Sequence, residues 1–133
     1  MTADYCACDY EPPSVLHEDI RQARKDRPCS ECRRTIRAGE RYEHTWGIWE
    51  GDANSYDTCC HCLALREYTR AHVPCFCWCY TTMRDDAMET LSWADPEAPG
   101  LWFGGARHYV RARRLRQVEL RARARHADTD RTP

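Results

Sequence analysis

Two pairs of cysteines, Cys29/Cys32 and Cys59/Cys62, constrain this chain more than any other feature. Each pair is separated by two residues, and 26 residues lie between the pairs. Sulfurs so spaced reach one ion from a single turn, and four thiolates fill the tetrahedron that zinc takes in structural sites. Ten cysteines in 133 residues could instead be a disulfide framework. However, residues 2–9 are polar and carry no apolar signal region, so a reducing, cytoplasmic setting is expected, in which thiols hold metal. The apolar runs are too short to cross a bilayer, and no membrane association is expected.

The segments around the cysteines read as follows. Pro12-Pro13 and Ser14 predict a short helix over residues 14–25, with Val15, Leu16, Ile20 and Ala23 as a partial apolar face. Cys29 to Gly39 is a tight, glycine-ended turn. Residues 41–50 read as a strand whose alternation puts Tyr42, His44, Trp46 and Ile48 on one face, with a reversal over 51–55 and a return over 56–58. Residues 60–72 have helical periodicity, with Cys60, Leu63, Ala64 and Ala71 on one side and Pro74 as a stop. Thr82 and Asp85 have capping-box spacing before a helix faced by Met83, Ala87, Met88 and Leu91. The expected division is a zinc domain over 1–94, a linker over 95–105, an arginine-rich helix over 106–127 and a disordered tail over 128–133.

A knuckle bearing one cysteine pair, a β-hairpin, then a helix opened by the second pair resembles the treble-clef family of zinc folds. The expected fold class is therefore a small α+β zinc-stabilised domain, treble-clef-like, with additional helices and a C-terminal basic helix. Four cysteine ligands leave no position open for water, so the zinc is expected to be structural. A second ion is expected between Cys6, Cys8, Cys75 and Cys77, with Cys79 or His72 as possible replacements. Cys60 reads as a small buried hydrophobe, and His61 as pointing away from the sulfurs of its own clip. His17, His44, His108 and His126 have no ligand spacing.

The run from Cys29 to Tyr42, then Trp49-Glu-Gly51, Thr58 to Tyr68 and Val73 to Trp78 resembles a group of small zinc-binding proteins found in bacteriophages and prophages, to which no activity is assigned. The resemblance spans about residues 5–92. It implies a zinc body in a bacterial host cell, and it carries over no functional residue beyond the cysteine ligands.

Net charge is −1, but residues 107–125 carry eight arginines against one glutamate, so the remainder is acidic. At 100° per residue Arg107, Arg111, Arg114, Arg121 and Arg125 share an arc of about 80°. With no single apolar stripe, this helix is expected to project from the body and to bind the phosphates of nucleic acid. Trp49 is the tryptophan expected to be exposed. No Ser/His/Asp arrangement, phosphate-cradling loop or open metal site is present, so no enzyme activity and no small-molecule substrate are expected. The alternative is a phage accessory protein that binds and modulates a host protein through its aromatic and acidic body.

Overall fold

The computed structural model describes the backbone of residues 12–131 and the side chains of 12–126. Five strands are followed by three helices: β1 Val15–Gln22, β2 Arg27–Pro28, β3 Thr35–Ile36, β4 Arg41–Trp49, β5 Asp52–Cys59, α1 Cys60–His72, α2 Met83–Ala94 and α3 Leu101–Arg131. This is a small α+β fold. Among the described residues no helix is long and apolar enough to cross a membrane.

The helix expected over 14–25 is instead β1, an edge strand paired antiparallel to β4 from Val15↔Ile48 to Gln22↔Arg41. The partial apolar face misled because it does not enter a core: Leu16 and Ile20 remain exposed. Backbone pairing along the whole of β4 decides the conformation, and Glu18, Asp19 and Arg21 give the edge its charge. The β4–β5 reversal is tighter than expected. Trp49 pairs with Asp52, leaving Glu50 and Gly51 as a two-residue turn with φ of 50° and 84°. Two positive φ values match the twist of the flanking strands, and glycine fits the second without strain.

Tyr42, His44, Trp46 and Ile48 do share a face of β4, but the polar face is the one turned toward α1. Glu43 and Thr45 are buried there. Arg66 of α1 meets Glu43 with both terminal nitrogens, at 2.8 and 2.7 Å. The helical face expected for α1 shifts for the same reason. Cys62, Leu65, Arg66 and Thr69 are buried while Ala71 is exposed, since a paired arginine takes a core position that hydropathy would deny it.

α2 buries Met83, Ala87 and Leu91 as expected. Its start is not closed by the Thr82 box. Backbone N–H groups of Thr81 and Met83 donate to the two carboxylate oxygens of Glu31, at 2.7 and 3.0 Å. Thr82 instead bonds Asp86 through its hydroxyl.

The linker expected over 95–105 is shorter, because α3 begins at Leu101 and continues to Arg131, through most of the expected tail. Asp95 caps that start, accepting from the N–H groups of Gly100 and Trp102 at 3.1 Å each. Nor does α3 simply project. Gly104 and Gly105 sit against Tyr68 and Leu91, where a Cβ would collide, so this helix crosses α1 and α2 at close range. Farther along, Arg116 is buried and joins Glu40 at 2.6 and 3.0 Å, and it also donates to the carbonyl of Thr35. The core of Ile36, Tyr42, Leu65, Met83, Ala87 and Leu91 is continuous with Cys29, Cys59 and Cys62.

Candidate metal centre

The first cysteine pair lies on the turn between β2 and β3. Arg27↔Ile36 and Pro28↔Thr35 close a short ladder, and Arg33 takes a positive φ of 65° so that its N–H reaches back to the carbonyl of Cys29 at 3.1 Å. The second pair opens α1, with Cys59 as N-cap and Cys62 in the first turn. This helix end carries the positive pole of the peptide dipoles and favours thiolate.

The four ligand atoms lie within 4.8 Å of one another, close enough to hold one metal ion. The Sγ atoms of Cys29 and Cys62 are 4.0 Å apart, and those of Cys32 and Cys59 are 3.6 Å apart. A tetrahedron with zinc–sulfur bonds of about 2.3 Å requires sulfurs about 3.8 Å apart. Cys29, Cys59 and Cys62 are fully buried and Cys32 partly so. The N–H groups of Glu31 and Cys59 each donate to Cys29 Sγ at 3.4 Å.

Electrostatically, the four thiols act strongly on one another. Cys32 is driven well below the ordinary thiol range by hydrogen bonds from Cys29, Cys59 and Cys62. Cys29 is opposed by Cys32 but falls to about 6 through its bonds with Cys59 and Cys62. Cys59 and Cys62 are pushed up, first by Cys29 and then by Cys32, because thiolate beside thiolate is repulsive. A divalent cation would relieve that conflict.

His61 departs from expectation. It is fully buried, and its Nε2 lies 3.3 Å from Cys32 Sγ and 3.4 Å from Cys59 Sγ. With the proton on Nε2 it donates to both sulfurs. Tyr109 of α3 meets the ring edge-on at 5.0 Å. The sequence signal was present, since residue 61 lies in the clip itself, but nothing in its spacing announced which way the ring would turn.

Of the second expected site, Cys6 and Cys8 lie outside the described residues. Cys75 and Cys77 are brought together, with sulfurs 3.9 Å apart. Cys79 is exposed. His72 turns back into α1, with Nδ1 2.8 Å from the carbonyl of Tyr68 and its ring stacked on Tyr68. Cys60 is only partly buried; burial raises its pKa against the pull of Arg116.

Arg107, Arg111, Arg114, Arg121 and Arg125 are all exposed. Trp49 is not the exposed tryptophan expected: it packs edge-on to Tyr56 and Tyr80, whereas Trp93 is 79% exposed. Comparison with family models, curated proteins and solved structures gives no match to this chain.

Proposed function

We propose that the chain is a non-catalytic, zinc-stabilised binding module of treble-clef type, phage- or prophage-encoded and cytoplasmic, that engages nucleic acid through the outer face of α3. The observation that carries the reading is the shared exposure of Arg107, Arg111, Arg114, Arg121 and Arg125. The residues of α3 that pack, among them Gly105, Tyr109 and Arg116, lie on the opposite side at 100° per residue. From Arg107 to Arg125 the helix rises about 27 Å, the length of about eight base pairs of duplex. Guanidinium groups along that length suit phosphate oxygens.

The zinc assignment is supported by the all-thiolate donor set and its sulfur spacing, and the treble-clef reading by the order of knuckle, hairpin and helix. A second zinc would be held by Cys75 and Cys77 together with Cys6 and Cys8.

The test is anisotropy with generic duplex DNA and RNA across a salt series. Five phosphate contacts predict a log–log slope of about −4.5 on duplex DNA. The triple variant R107Q/R111Q/R114Q is expected to flatten that slope and bind at least about tenfold more weakly, with zinc content and circular dichroism unchanged. Salt-independent binding, or none at low salt, overturns the reading. A second reading is favoured by one observation: Asp85, Glu89 and the exposed Trp93 fall on one face of α2, a surface that suits a host protein. Capture of such a partner by the triple variant, undiminished, would favour it.

A further inference from the structure

The α1–α2 connection builds an aromatic enclosure with the end of the β4–β5 hairpin and with β1. Trp49 and Trp78 each stand nearly perpendicular to the ring of Tyr80, at 72° and 73° with centroids 5.7 and 4.6 Å away. Phe76 extends the Trp78 wall, roughly parallel to it at 30°. The cavity they line is about 290 Å³, and Glu18 of β1 brings a carboxylate to it.

The enclosure is held from behind. Tyr56 stacks flat on Tyr80 at 4.5 Å, and the Arg66 guanidinium lies over Trp78 at 5.3 Å. Tyr80 directs its hydroxyl to Thr45 Oγ1 at 3.3 Å, and burial pushes its pKa up to about 12. It therefore stays neutral and offers the cavity a ring rather than a polar group.

Trp49 and Trp78 each meet the plane of Tyr80 nearly at a right angle, so the cavity has walls as well as a floor. A ring floor with indole walls standing on it surrounds a compact, rounded group on more than one side. Ring faces carry negative quadrupole density and attract cations. A bare ammonium would lose water without finding enough acceptors here, which favours one whose N–H bonds are replaced by methyl groups. Arg70 also lines the cavity, but it is half exposed and faces Glu67 at 3.6 Å, so Glu18 sets the local sign.

We propose that Trp49, Trp78 and Tyr80, with Glu18 at the rim, form a binding site for a methylated alkylammonium group. The chemistry is the same whether it is presented by a methylated lysine side chain or by a free quaternary amine.

The test titrates the zinc-loaded full chain, followed by tryptophan fluorescence and by NMR of the indole N–H signals. The probes are tetramethylammonium, an acetylated trimethyllysine amide, its unmethylated lysine counterpart and a neutral all-carbon isostere of the trimethyllysine. The two methylated cations are expected to saturate and to bind about tenfold more tightly than the neutral isostere. Tighter binding of the trimethyllysine amide than of tetramethylammonium would assign a peptide source, and the reverse a free amine. Glu18→Gln is expected to weaken the cations severalfold and leave the isostere unchanged. Trp49→Phe should retain reduced binding and Trp49→Ala lose it; should the latter not fold, the other two variants decide the outcome. Equal affinity for the isostere and the cations, or no saturation by either cation, overturns the proposal.

Discussion

Replacing Arg116 by methionine removes the charge that fastens α3 to the knuckle while keeping most of the side-chain volume. Both partners of the Arg116–Glu40 pair are 7% exposed, so the change leaves a buried carboxylate without its cation. Breaking a buried pair in this way costs about 3–5 kcal/mol. Glu40 keeps one donor, the N–H of Arg37 at 2.8 Å, which sets the expectation at the lower end, about 3 kcal/mol. Removing both charges in R116M/E40M eliminates the stranded carboxylate. The remaining deficit comes from two backbone groups, the Thr35 carbonyl and the Arg37 N–H, and should be about 2 kcal/mol. Urea unfolding at fixed zinc concentration, read by tryptophan fluorescence, measures both. The control is Arg121→Met on the exposed face, expected to cost under about 0.5 kcal/mol. Equal midpoints for R116M and R121M would refute the claim that α3 is anchored through this pair.

Four further outcomes are expected. Native mass spectrometry should find zinc in the folded chain, and Cys62→Ser should lose it from the first site and unfold at ambient temperature, because metal affinity of this kind is folding energy of about 10–16 kcal/mol. His61→Phe should keep the metal but yield it to a competing chelator at about 10- to 100-fold lower concentration, the usual effect of removing a group that hydrogen-bonds metal ligands. Gly105→Ala should destabilise by about 1–3 kcal/mol by thermal melting, since its collision with Leu91 outweighs a helix-propensity gain of about 1 kcal/mol. Tyr80, with its folded pKa raised from 10.0 to about 12, contributes stability that is complete below pH 10 and is lost as pH rises toward 12. Alkaline difference absorbance should show late tyrosine ionisation that Tyr80→Phe diminishes, with Tyr109, whose pKa burial also raises, left in what remains.

The parts legible in the sequence were those in which local spacing and tertiary contact agree. The two C-x-x-C pairs gave the cluster, Pro74 the end of α1, and the Met83/Ala87/Leu91 spacing the buried face of α2. What was not legible depended on partners distant in the chain. β1 has little alternation to read, because an edge strand exposed over seven of eight residues buries nothing that would impose a period; its conformation comes from β4. Arg66 and Arg116 were illegible as core residues because their burial makes sense only beside Glu43 and Glu40. For His61, its position inside the clip put the residue near the cluster, but the ring lies against Cys32 and against Tyr109, 48 residues farther on in α3, neither of which its own spacing announces.

Glu31 has a consequence for how such a chain finds its shape. It sits between the two cysteines of the knuckle and caps α2 across 50 and 52 residues of sequence. A bond of that span must close a long loop before it returns any energy. Metal captured by Cys29, Cys32, Cys59 and Cys62 would shorten the search, since it gathers the intervening hairpin and leaves only the connection beyond α1 to be closed. The carboxylate then meets the start of α2 as a neighbour rather than as a distant point on an open chain. Ion capture would thereby favour an order of assembly in which the second helix docks afterwards. A chain without such an ion would lack that shortest route.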